Sequence, residues 1–151
     1  MFYVEPDEND AHFYRNSQAD EVVYVAEGHG LLESVFGELP IQPGDYVVVH
    51  RNITFRWKFD FARGPVKLLP MESRGHVRFP SRYRSEFGQL LEGAPFSERD
   101  IRRPLELRPR DEKGDFPILV KQYDAINELV LDHHPFDVVG WDGYNYPYAF
   151  S

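Results

Sequence analysis

The stretch Tyr14-Arg15-Asn16-Ser17-Gln18-Ala19-Asp20-Glu21-Val22-Val23-Tyr24-Val25-Ala26-Glu27-Gly28-His29-Gly30, answered by Pro43-Gly44-Asp45-Tyr46-Val47-Val48-Val49-His50-Arg51-Asn52-Ile53-Thr54-Phe55, decides the fold. Each half holds a short apolar run, Val22–Ala26 and Tyr46–Val49, bounded by residues that favour turns. The second run is continuously apolar, as expected of a strand covered on both faces. Outward from these, Leu31–Phe36, Leu39–Ile41, Phe55–Phe59, Val66–Met71 and Val77–Phe79 repeat the pattern, with Gly28, Gly30, Gly37, Asn52 and Gly64-Pro65 as punctuation. Short strands at this spacing predict a sandwich or small barrel.

The two quoted segments resemble the paired motifs of the cupin superfamily. In metal-loaded members, a His-x-His-x(3,4)-Glu pattern supplies three ligands, and another histidine follows the Pro-Gly-Asp turn. Here those places hold Tyr14, Asn16 and Phe55, and only Glu21 keeps its usual identity. One carboxylate beside a phenylalanine is no iron or zinc site, which needs about three preorganised ligands. Of the six histidines, His12 stands too far before Glu21, His50 sits where cupins usually have proline, and His29 and His76 read as turn or surface residues. His133 and His134 are adjacent, so a strand would point them to opposite faces, and an exposed pair is expected. No metal is assigned to this chain.

With 151 residues and 42% hydrophobic content, the chain can bury one core. It has no cysteine, hence neither disulfide nor thiolate ligand. No basic, apolar leader and no span of about 20 apolar residues is visible, so a cytoplasmic protein is expected, without a membrane partner. The net charge of −8 is uneven. Residues 1–60 are acidic on balance and residues 74–113 basic, but the arginines of the latter alternate with Glu86, Glu92, Glu98, Asp100 and Glu106. That favours ion-pair networks over a phosphate-binding stripe, so no nucleic-acid partner is expected.

From residue 80 to 115 the strand pattern loosens into a charged, proline-bearing excursion with one helical candidate, Ser85–Leu91. A wholly unstructured loop of that length is uncommon inside a compact domain, so its arginines are expected to pin it to the acidic barrel. Strand character returns at Phe116–Tyr123 and Glu128–Leu131, and the segment 132–151 is rich in aromatics. The sequence thus predicts an all-β fold of cupin type, a jelly-roll barrel or sandwich over residues 1–131, followed by an aromatic segment.

That last segment, Pro135-Phe136-Asp137-Val138-Val139-Gly140-Trp141-Asp142-Gly143-Tyr144-Asn145-Tyr146-Pro147-Tyr148, is similar to the stretch joining the two halves of homogentisate 1,2-dioxygenases. Tyr14-Arg15-Asn16, Phe36-Gly37, Pro43-Gly44-Asp45 and Arg82-Tyr83-Arg84-Ser85-Glu86-Phe87-Gly88 resemble the first half of that family. The resemblance implies a ring-cleaving enzyme that uses Fe(II) and O2 to convert homogentisate, a small aromatic substrate of tyrosine and phenylalanine catabolism, into maleylacetoacetate. It also implies that the iron ligands lie in a second cupin half beyond this sequence. No catalytic residue is therefore assigned here, and the chain alone is expected to be inactive.

Two expectations about sites follow. Tyr14, Asn16, Glu21 and Phe55 should converge at a vestigial barrel mouth, with Phe55 as filling and Tyr14 hydrogen-bonded to Glu21. Val138, Val139, Trp141, Tyr144, Tyr146 and Tyr148 should form an interface, either for the second cupin half or for another copy in a homo-oligomer. The rival readings are a stand-alone metal-free cupin that binds or isomerises a small polar ligand, and a pure interaction domain.

Overall fold

The computed structural model describes residues 1–137 and 145–151. Val138, Val139, Trp141 and Tyr144, expected above at an interface, lie outside them. The strands in chain order are β1 (Phe13–Asn16), β2 (Asp20–Glu27), β3 (Gly30–Ser34), β4 (Gly37–Ile41), β5 (Tyr46–Val49), β6 (Thr54–Phe59), β7 (Lys67–Ser73), β8 (Ile101–Arg102), β9 (Lys113–Gln122), β10 (Ala125–His133) and β11 (Tyr148–Phe150). They form a six-stranded sheet, β10-β9-β1-β6-β3-β4, and a five-stranded sheet, β7-β2-β5-β11-β8. The two face each other as a β-sandwich, consistent with the cupin expectation. No described helix is long and apolar enough to cross a membrane.

Strand alternation builds the core. Val23 and Val25 of β2, Leu32 of β3, Leu39 and Ile41 of β4, Val47 and Val49 of β5 and Phe55 and Phe59 of β6 all point inward. Val48, on the other face of β5, is also buried, as its continuously apolar run predicted. The Pro43-Gly44-Asp45 turn holds β5 against β2. Gly44 N–H donates to the Val25 carbonyl (2.8 Å), Val25 N–H to that of Asp45 (2.9 Å), and Gln42 N–H to Asp45 Oδ2 (2.8 Å). Gly44 has φ +95°, yet a Cβ there would meet nothing within 4 Å. Gly44→Val should therefore lower stability through backbone strain alone, by about 1–3 kcal/mol, and a thermal melt measures it. An unchanged melting temperature would contradict this account of the turn.

The excursion is pinned as its arginines suggested. Arg102 ion-pairs with the buried Asp45 and donates to the Pro40 carbonyl (2.8 Å). Arg108 lies 3.7 Å from Glu38, Arg110 lies 3.6 Å from Glu33, and Leu105 exchanges two backbone hydrogen bonds with Glu38. Two expected elements are absent. Ser85–Leu91 is no helix, because Ser85 Oγ accepts the N–H groups of Phe87 and Gln89 (3.2 Å each) and closes a local turn instead. Val77–Phe79 is no strand, because Val77 N–H donates to the Asp20 side chain (2.9 Å) rather than to a ladder.

The end of the chain runs back into the barrel. Strand β11 lies past the boundary expected after Leu131, pairs with both β5 and β8, and places Ala149 fully inside the core. Tyr148 and Phe150 pack beside Phe79 (ring centroids 6.0 and 6.3 Å), so the Tyr148 ring expected at an interface is half-buried within the chain itself. Tyr146 is also half-buried.

Candidate functional site

Strand β1 runs beside β6 with Tyr14 opposite Phe55, and it enters β2 through a turn fastened by Asn16. Asn16 Oδ1 accepts the N–H groups of Gln18 (3.1 Å) and Ala19 (3.0 Å), which swings Glu21 back toward β1. Tyr14 OH then donates to Glu21 Oε1 (2.9 Å), and Asn16 Nδ2 donates to the same oxygen (2.8 Å) and to Glu72 Oε1 (2.8 Å). Lys121 closes the network as an ion pair with Glu72. Phe55 is buried, its ring edge-on to Tyr14 (5.4 Å). The four residues expected at the barrel mouth thus stand together, and the Tyr14–Glu21 bond is present.

Burial raises the Glu21 carboxyl above the usual glutamate range, with nearby Glu72 adding to it; the hydrogen bonds from Asn16 and Tyr14 work the other way. Burial and the Glu21 carboxylate push the Tyr14 hydroxyl well above its ordinary value, so Tyr14 remains a donor. Phe55 does not fill the barrel to its rim. A cavity of about 560 Å³ opens beside Glu21, walled by Val23, Phe55, Trp57, Phe59 and Leu68.

These residues do not fit an iron ion. Glu21 Oε1 is taken by two donors, Tyr14 and Asn16 offer a protonated phenol and an amide, and the remaining position presents the Phe55 ring. Fe(II) sites are built from about three imidazole or carboxylate ligands with open positions beside them.

A second cluster escaped the sequence reading. Asp20, His50 and His76 bring ligand atoms within 4.8 Å of one another, where the sequence places both histidines in turn or surface roles. The antiparallel pairing of β2 with β5, with Glu21 opposite Val49, brings Asp20 to His50, and β7 pairs Ser73 with Asp20, so the chain just beyond brings His76. Only knowledge of that pairing could have found the cluster. Asp20 is completely buried and already satisfied. Its Oδ1 accepts from Arg51 N–H (3.0 Å) and Arg51 Nε (3.1 Å), and its Oδ2 from Val77 N–H (2.9 Å) and His50 Nδ1 (3.1 Å). Burial alone would raise its carboxyl, but these four donors outweigh that and hold it well below the ordinary aspartate range. A cation would have to displace hydrogen bonds and sit beside the Arg51 guanidinium, so the cluster reads as a structural lock.

The expected exposed pair His133 and His134 is corrected by half. His133 is exposed, whereas His134 is 3% exposed and lies among Phe13, Phe116 and Phe136 (ring centroids 5.0–5.2 Å). Its Nδ1 accepts Phe136 N–H (3.1 Å), and burial lowers its pKa, which keeps the ring neutral.

Residues 1–151 match the family described as homogentisate 1,2-dioxygenase N-terminal. A protein of Saccharolobus solfataricus named "Putative dioxygenase SSO1533" is 42% identical over 139 residues, 92% of this chain and 35% of that protein. The homogentisate 1,2-dioxygenase of Emericella nidulans is 29% identical over 145 residues, and that of Bradyrhizobium diazoefficiens 28% over 143, covering 87% and 94% of this chain and 30% of each relative. The chain spans about a third of the length of these relatives. By this match and by its two-sheet fold, the chain belongs to the homogentisate 1,2-dioxygenase N-terminal family.

Proposed function

We propose that this chain is the non-catalytic first-barrel part of a homogentisate 1,2-dioxygenase-like enzyme, serving as scaffold for a second barrel that carries Fe(II) and opens the aromatic ring with O2. The observation that carries the reading is the barrel mouth. Tyr14, Asn16 and Phe55 stand around Glu21 where cupins hold metal, and the donors present bind one another. Family membership supplies the rest, since the relatives named as dioxygenases are about three times as long. In this setting the aromatic segment around Tyr146 would face the second barrel or another copy, and the protein would be cytoplasmic.

The test is metal analysis with oxygen uptake on homogentisate. The chain alone should carry no stoichiometric iron and show no uptake, because about three ligands are required and one carboxylate is offered. Uptake should appear when the chain is co-expressed with the remaining two-thirds of a homogentisate 1,2-dioxygenase. One Fe(II) per chain, lost on Glu21→Ala, or turnover by the chain alone would overturn the proposal.

A further inference from the structure

The cavity at the barrel mouth is more than a relic. Its walls are built from both sheets, and the N-terminal arm completes them. Phe2 N–H donates to the Pro70 carbonyl (3.1 Å), and Val4 exchanges backbone hydrogen bonds with Leu68 (3.0 and 2.9 Å), which lays Phe2 and Val4 along the rim. At about 560 Å³ the space lies within the range of small-molecule sites.

Glu21 provides its polar feature. The residue is 9% exposed, yet both of its hydrogen bonds fall on Oε1, and among the described residues Oε2 accepts none. Oε2 is thus the carboxylate oxygen left free to accept at the wall of the cavity, and a cationic donor there would make a charge-assisted hydrogen bond. The other acids at the cavity are already engaged. Glu72 is held by Lys121 and Asn16, Asp124 accepts from Gln18 (2.6 Å), and Asp10 accepts Trp57 N–H (3.1 Å). Against these four carboxylates the lining offers Lys121, already paired, and His12. The field inside is therefore negative. It is bordered by aromatic faces, with Trp57 and Phe59 stacked at 5.8 Å and Phe55 edge-on to Trp57 at 6.0 Å. Such faces attract a cation and accommodate an apolar or aromatic body.

We propose that this cavity binds a small organic cation, a protonated primary amine on an apolar or aromatic body, with the ammonium donating to Glu21 Oε2 and the body against Phe55, Trp57 and Phe59. The same field repels carboxylates, homogentisate included, so the site is separate from ring cleavage and its test is independent of the iron and oxygen-uptake measurements.

Phenethylamine and phenylacetate, alike in shape and opposite in charge, are the probes, titrated into the intact chain and followed by NMR. Phenethylamine should bind saturably, with intermolecular NOEs from its ring to Phe55 and Trp57. Phenylacetate, and phenethylamine on a folded Glu21→Gln variant, should each bind at least about tenfold more weakly. Comparable affinity for phenylacetate, absence of saturation, or NOEs to other surfaces would overturn the proposal. If Glu21→Gln does not fold, the NOEs and the charge comparison on the wild-type chain decide it.

Discussion

Asp20→Ala should cost about 3–5 kcal/mol of stability at neutral pH, the scale expected when one partner of a buried charged network is removed. The alanine leaves two backbone donors, the N–H groups of Arg51 and Val77, without their acceptor, and deprives Arg51 Nε and His50 Nδ1 of theirs. Arg51 keeps its bond to the Arg74 carbonyl (2.8 Å) and is partly solvated, which places the loss below the sum of four orphaned groups. The joints at risk tie the start of β2 to the end of β5 and to the chain after β7, so the damage should extend across the five-stranded sheet. The pH dependence follows from the depressed carboxyl. Its stabilisation is complete above the unfolded aspartate value near 4 and is lost as pH falls below that value toward the folded one. Denaturant melts should therefore show the full gap between wild type and variant at pH 7 and a shrinking gap below about pH 4. A gap under about 1 kcal/mol at pH 7 would mean that solvent replaces Asp20 at little cost.

That lock marks the limit of what the sequence discloses. Tyr46–Val49 was legible to the residue, because a run of β-branched side chains after Pro-Gly-Asp has few other ways to satisfy its backbone. The expectation that Tyr14, Asn16 and Glu21 converge rests on the cupin resemblance together with strand alternation, and the structure places the three side chains in one hydrogen-bonded group. Asp20, His50 and His76 are different. They lie on three separate segments, and nothing local to any of them signals the others; the pairing of β2 with β5 and β7 creates the cluster. Val77 misled for the same reason, its N–H being diverted to Asp20 by a contact 57 positions away. Strand β11 is only three residues long, too short for a periodicity, so its aromatics read as unpartnered surface when Ala149 between them is core. Adjacency places His133 and His134 on opposite faces but does not say what covers either one, and the phenylalanines that bury His134 come from β1, β9 and the loop after β10.

Gly37→Ala should be strongly destabilising, because two independent penalties fall on one atom. The residue opens β4 after the β3 hairpin turn with φ +112°, where an L side chain is strained by about 1–3 kcal/mol. Its missing Cβ would also lie 2.5 Å from the Leu105 carbonyl oxygen and 2.6 Å from that of Glu106, backbone atoms that cannot rotate away. The excursion must then lift or the hairpin must shift, and forcing volume into a packed place costs about another 1–3 kcal/mol. Lifting is the softer route. It would stretch the Leu105–Glu38 backbone pair and draw Arg108 and Arg110 away from Glu38 and Glu33. The variant should thus melt below Gly44→Val, whose added side chain meets no neighbour, and limited proteolysis should cut it faster within residues 103–112 than the wild-type chain. If the two variants melt together and the excursion stays equally resistant, the close approach of Leu105 and Glu106 to Gly37 does not hold the strap down.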